Sequence, residues 1–222
     1  MEQELSRYID HTLIKRDSTK EVLDKYVEDS IKWNFKTLCI HPMWIDYVKE
    51  RLHAKNIGVT AVVGFPYGTQ TTEAKCFEGQ DAIRRGADEL DYVINVSMIK
   101  SGDWDYVRDE LVAIRKATEG TVIKVILEIA LLTDDQIAKA SRIASDAKFD
   151  FVKTSTGIDC SGATLEAVKI MKDNINPDTQ IKAAGGVRTY ADAEAYINAG
   201  CSRIGTSNGV DILEGKEASH TY

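Results

Sequence analysis

Cysteine is scarce in this sequence, and the four residues present, Cys39, Cys76, Cys160 and Cys201, are scattered. None forms a C-x-x-C pair, so no disulfide framework or paired-cysteine motif can be read. Long apolar runs are missing as well: none approaches the ~20 residues of a membrane span. The opening MEQELSRYIDHTLIK carries early acids and no apolar h-region, and it does not read as a signal peptide. A basic excess is also lacking. The net charge of −7 argues against a nucleic-acid partner, while leaving room for a local cationic pocket for a small anion. A reducing cytoplasm is the simplest compartment for such a chain.

Several signatures are absent too. No G-x-G-x-x-G opens a helix after a strand, which lowers a dinucleotide-binding reading. The four histidines, His11, His41, His53 and His220, form neither HExxH nor a Cys/His cluster, so no metal site is expected. No Pro/Gly/Ser-rich linker marks a boundary, and residues 1–222 read as one domain.

What is present is alternation. Short strands rich in Val and Ile occur at 37–42, 59–66, 89–96, 121–129, 149–155, 180–186 and 202–207. Their near-continuous apolarity fits parallel strands buried on both faces. Helix-length amphipathic stretches lie at 18–33, 71–87, 103–118, 133–147, 161–174 and 189–200. In the first, Val22, Tyr26, Val27 and Ile31 form the expected apolar face, and Ser18 or Thr19 the cap. Seven strands are clear, and YIDHTLI at 8–14 is the candidate eighth. Eight units in 222 residues give about 28 each, close to the ~30 of a compact βα repeat. The fold class is α/β, a single (β/α)8 TIM barrel; an open doubly wound sheet is the alternative.

Barrel chemistry sits at the C-terminal ends of strands. Polar residues in or near those ends are Asp10, Cys39, Asp91, Asn95, Lys124, Glu128, Lys153 and Lys182. Lys153 and Lys182 fall in consecutive strands, so inward side chains at similar heights become neighbours. Burial and a second ammonium both disfavour the charged form of a lysine, and a neutral desolvated lysine beside another cation is a Schiff-base nucleophile. The plainer alternative is that each lysine pairs with a carboxylate such as Asp91 or Glu128. Asp91 can shuttle protons or merely neutralise a lysine. Glu128 and Lys124 share a strand face by period 2 and read as supporting charges. Cys39 reads as a small buried hydrophobe. Two Gly-rich turns follow the last strands, AAGGVRT with Gly185 and Gly186 and RIGTSNG with Gly205 and Ser207, where barrels often hold phosphate. Gly157 in STG offers a further N–H donor.

Taken together, YIDHTL, TLCIHP, VVGFPYGTQTTEAK, ELDYVINV, KVILE, FVKTSTG, IKAAGGVRT and RIGTS resemble the 2-deoxyribose-5-phosphate aldolase family over nearly the whole chain. The resemblance implies a class I aldolase that needs no metal or other cofactor. The implied reaction is reversible cleavage of 2-deoxy-D-ribose 5-phosphate to acetaldehyde and D-glyceraldehyde 3-phosphate. It implies that Lys153 forms the imine, that Lys182 is the second lysine, and that Asp91 relays protons through a water. Asp10, Cys39, Thr154 and Thr156 would line the substrate site. Gly157, Gly185, Gly186, Gly205 and Ser207 would surround the phosphate. Ile158 stands where some members have a lysine, and Tyr222 ends the chain as a tyrosine does in some members. A homo-oligomer, dimer or tetramer, is the implied assembly.

Overall fold

Eight parallel strands close into a barrel, in strand order one to eight around the ring. They are β1 (Ile9–Leu13), β2 (Thr37–Ile40), β3 (Gly58–Val63), β4 (Glu89–Val93), β5 (Val122–Ile126), β6 (Phe151–Lys153), β7 (Gln180–Ala184) and β8 (Arg203–Thr206). The computed structural model describes residues 5–52 and 55–216. The short segment at 8–14 is thus the eighth strand, and the open-sheet alternative falls away because β1 pairs with β8.

Helices cover the outside. They are α1 (Lys20–Trp33), α2 (Ile45–Leu52), α3 (Thr72–Arg84), α4 (Val96–Lys100), α5 (Trp104–Ala117), α6 (Asp134–Asp146), α7 (Leu165–Asp173), α8 (Tyr190–Ala199) and α9 (Gly209–Leu213). Thr19 rather than Ser18 caps α1, its hydroxyl accepting from Val22 N. Thr71, Thr133, Thr164 and Thr189 cap their helices the same way. A threonine oxygen there satisfies one of the four backbone donors a helix start leaves open.

The buried face of α1 differs from the expected one. It consists of Leu23, Tyr26, Val27 and Ser30, whereas Val22 and Ile31 are exposed. Spacing i, i+3, i+4, i+7 from Leu23 generates this face, and the buried Ser30 turns its hydroxyl back to donate to Tyr26 O. All seven strands read from apolar runs also stop short of their expected ends. β5 ends at Ile126 and β6 at Lys153.

Along the strands, side chains alternate between two environments. Outward residues such as Leu38, Val59, Leu90, Tyr92, Ile123, Val125, Val152, Ile181 and Ile204 join one apolar core beneath the helices. Inward positions are different in kind. Asp10, Thr60, Lys124 and Lys182 come from odd strands. Thr37, Glu89, Asp91, Phe151, Lys153 and Arg203 come from even ones, all of them buried. Four side chains per layer from alternate strands is the packing rule of such barrels. In this barrel those layers are largely ionic. A smaller apolar cluster of Ile14, Cys39 and Val62 sits apart from the main core, with Phe65 and Ile158 against it.

Candidate active site

Lys153 is the last residue of β6, and register places it between Ile126 of β5 and Lys182 of β7. Its ammonium donates to Asp91 Oδ2 at 2.7 Å. Lys182 donates to the same oxygen at 2.8 Å, so the two lysine nitrogens lie within 5.5 Å of each other. Lys124 takes the other oxygen, Oδ1, at 2.8 Å. Asp91 therefore carries three lysines, which pair with its carboxylate and crowd one another.

The environments of the two lysines diverge. Lys182 is fully buried and has a second carboxylate, Asp10, at 2.5 Å. Burial alone would lower its pKa, but Asp10 and Asp91 hold it above the ordinary lysine value. Lys153 keeps 3% of its surface exposed and, among the described residues, forms an ion pair with Asp91 only. Burial and the Lys182 charge depress it, and Asp91 offsets this in part, leaving it below the ordinary value. Asp91 is pushed up by burial but pulled well below the carboxylate range by Lys124, Lys153 and Lys182. Asp10 feels the same opposition and settles at about 2 under Lys182, Arg203 and Lys124. Cys39 is fully buried, and burial pushes its thiol up, so it stays protonated beside these charges.

The threonines after Lys153 hold backbone. Thr154 Oγ1 donates to Ala184 O at 2.9 Å and accepts from Ala184 N at 3.0 Å, stitching β6 to β7. Thr156 Oγ1 donates to Glu128 at 2.5 Å, and Thr156 N donates to the same Oε2 at 3.2 Å. Glu128 does not share the strand face of Lys124, because the strand has ended and its backbone turns left-handed at φ 55°. That turn points it at the loop following Lys153. Burial raises its pKa, while the Thr156 bonds and Lys153 oppose the rise.

Beyond the lysines lies a cavity of about 530 Å³ lined by Gly157, Asp159, Cys160, Ser161, Gly162, Gly185, Gly186 and Arg188. Here glycine is required by close approach: a Cβ on Gly162 would fall 2.0 Å from Gly185 O. Of the five residues expected around a phosphate, the structure brings Gly157, Gly185 and Gly186 together at this cavity. Gly205 lies in β8 against the Lys182 stem, where a Cβ would meet Lys182 Cε at 3.0 Å. Ser207 lines a separate, smaller cavity with Tyr26 and Asn208.

Three relevant residues went unmarked in the sequence. Arg188 stood in plain view in GGVRT, and among the described residues it is the one cationic side chain of the glycine-lined cavity. Glu89 and Arg203 sit on the same strand faces as Asp91 and Gly205, and period 2 was the signal for both. The two described histidines stand apart from this chemistry. His11 stacks on Tyr26 with ring centroids 4.4 Å apart, and His41 Nε2 is 2.9 Å from Ile14 O. Tyr222 lies outside the described residues.

Comparison with known proteins decides the class. The family model for DeoC/LacD family aldolases matches residues 5–214. The chain belongs to that family. This aldolase, a lyase, is 46% identical over 218 residues to the deoxyribose-phosphate aldolase of Streptococcus sanguinis strain SK36, covering 98% of this chain and 99% of the relative. It is 46% identical to deoxyribose-phosphate aldolase 1 of Staphylococcus aureus strain MRSA252, covering 97% and 98%. Among solved structures, the tetrameric deoxyribose phosphate aldolase from Aeropyrum pernix superposes with a TM-score of 0.89 at 30% identity, covering 96% of this chain and 91% of that one. Among the described residues, no helix of the aldolase is long and apolar enough to cross a membrane.

Proposed function

We propose that this aldolase reversibly cleaves 2-deoxy-D-ribose 5-phosphate to acetaldehyde and D-glyceraldehyde 3-phosphate through an imine on Lys153. The observation that carries the reading is the pairing of Lys153 and Lys182 on one oxygen of Asp91, with Lys153 the one of the two that keeps some exposed surface. The relatives' names supply the substrate class.

The chemistry follows from the geometry. Neutral Lys153 Nζ attacks the aldehyde carbon of the open-chain sugar, and loss of water gives an iminium. The iminium draws electrons from the C2–C3 bond as it breaks. The proton of the C3 hydroxyl leaves to the Asp91–Lys182 pair, D-glyceraldehyde 3-phosphate departs, and an enamine remains on Lys153. Protonation of the enamine carbon by the same pair, then hydrolysis, releases acetaldehyde and restores the amine. Positioned proton transfer of this kind contributes typically 10²–10⁴-fold. The phosphate sits in the cavity of Gly157, Gly185, Gly186 and Arg188, and binding there fixes the reacting carbon near Lys153. With Ile158 in place of a second cation, Arg188 and backbone N–H groups carry that binding. Gly205 and Ser207 complete the substrate side, and Asp10, Cys39 and Thr154 support it. The same reading carries a cytoplasmic homo-oligomer working in deoxyribose phosphate catabolism.

Borohydride added with substrate should leave a mass adduct on Lys153, and coupled alcohol dehydrogenase should register acetaldehyde. Acetaldehyde without an adduct would remove the imine. Binding without acetaldehyde would leave a silent phosphosugar binder.

A further inference from the structure

The buried charges extend past the groups the reaction uses. Arg203 Nη1 is 3.1 Å from Asp10 Oδ1, and Arg203 Nη2 bonds Glu89. Lys124 spans Glu89 at 2.6 Å and Asp91 at 2.8 Å. Asp91 returns to Lys182 at 2.8 Å, and Lys182 reaches Asp10 at 2.5 Å. The circuit is closed and alternates in sign: Asp10, Lys182, Asp91, Lys124, Glu89, Arg203, and back to Asp10. Three cations meet three carboxylates. Lys153 hangs from Asp91 as a branch, a fourth cation with no fourth carboxylate in the ring to match it.

We propose that Glu89, Lys124 and Arg203 are positioning residues that decide the charge of Lys153 from the far end of the barrel. By matching the ring without Lys153, they leave it the surplus ammonium, the one the interior releases as a neutral amine. None of the three needs to touch substrate. Glu89 and Arg203 open their strands, at the end opposite the site, and line a cavity there of about 430 Å³ with Arg7 and Lys36. Phe151 separates this end from the reacting lysine, its ring 5.6 Å from the Arg203 guanidinium and 5.8 Å from Lys124 Nζ.

The physical ground is the cost of an unmatched charge. Even after relaxation, a buried ion is penalised by several kcal/mol unless geometry and partners offset it. A ring at neutrality offers the extra ammonium no compensation beyond the Asp91 oxygen it shares with Lys182. The groups facing Lys153 are Asp91 from β4, Lys182 from β7, Cys39 from β2 and Glu128 from the loop after β5, with Asp10 of β1 behind Lys182. Cys39 is pushed up by burial and stays a neutral thiol. Glu128 lies outside the ring, spent on Thr156, and burial pushes it toward its neutral form. Lys124 and Lys182 lie on the other side of the division: burial works against both, but their carboxylates raise them.

The inference rests on the imine reading, and two measurements keep them separable. The first is the pH dependence of borohydride trapping of acetaldehyde on Lys153. The second is substrate-free: ¹³C-labelled lysine, with the Lys153 signal assigned by its loss in Lys153→Leu, reports the titration of that side chain. Glu89→Gln removes a ring anion and should move the acid limb down by about one pH unit. Arg203→Met removes a ring cation and should move it up by about as much. Arg203→Lys should return it toward the parent, as should the double variant Glu89→Gln/Arg203→Met. If Arg203→Met does not fold, Lys124→Met takes the cation arm. Shifts of one sign in both arms, or lower rates on an unmoved profile, overturn the proposal and reduce these residues to packing. A parent protein whose Lys153 titrates low but traps nothing overturns the imine reading alone.

Discussion

Lys153 and Lys182 share a single oxygen of Asp91, at 2.7 and 2.8 Å, while Lys124 holds the other. Removing that carboxylate takes a partner from three buried ammonium groups, leaving Lys182 to Asp10, Lys124 to Glu89 and Lys153 with no ion pair among the described residues. Breaking a buried pair by deleting one partner costs about 3–5 kcal/mol. Asp91→Asn should therefore lower the melting temperature by roughly 10 °C, at ~2–4 °C per kcal/mol for a chain this size. It should also lower kcat by at least about 100-fold, the loss of a positioned proton carrier. Calorimetry and the acetaldehyde assay check both. Full stability in the variant would mean that the lysines are already neutral.

Lys153→Leu should behave differently. Turnover should vanish, yet the melting temperature should hold or rise, because the remaining six charges are matched. Substantial residual activity would move the nucleophile to Lys182.

Thr156→Val tests the turn that follows the lysine. Its hydroxyl anchors this turn to Glu128 at 2.5 Å, and Gly157 comes next in the cavity wall. Loss of the anchor should raise KM for the phosphorylated sugar about 10-fold, the equivalent of ~1.4 kcal/mol. Arg188→Ala should do the same. Neither should alter kcat/KM for unphosphorylated 2-deoxyribose. Equal losses on both substrates would place these residues with the chemistry instead.

Acid stability should bear the mark of Asp10. Its folded pKa is about 2, below the ordinary 3.8. A depressed carboxylate contributes stability that is complete above its unfolded value and lost as pH falls through its folded one. Denaturant midpoints should thus fall between about pH 4 and pH 2. Asp10→Asn should flatten that part of the curve, from a lower starting stability. An unchanged slope would assign acid unfolding to other carboxylates.

The sequence displayed the barrel well because period and punctuation are local. Seven strands and six helices could be read from runs of Val and Ile and from threonine caps, and β1 was recognisable once an eighth strand was required. The helix Ile45–Leu52 was not, since eight residues after a one-turn lead-in give its period little more than two turns in which to show. Glu128 was misplaced because nothing in KVILE reveals that its backbone turns left-handed to reach Thr156. The lysines were legible as charges in apolar strands. Their partners were not. ELDYV and VIKVI show which residues share a face, but which carboxylate meets which lysine depends on stagger between strands. That is why the pairing of Glu89 with Lys124 and Arg203 became visible only with the ring closed.

Val152 and Lys153 are neighbours in the chain, yet one faces the apolar shell under the helices and the other the ionic interior. The same holds for Leu90 and Asp91, Ile123 and Lys124, Ile181 and Lys182. Two messages are thus interleaved along each strand, letter by letter: one tells the chain how to fold, the other what to react with. Descent can rewrite the second while leaving the first untouched. A scaffold of this kind is free to acquire new chemistry by exchanging alternate residues, without having to invent a new shape.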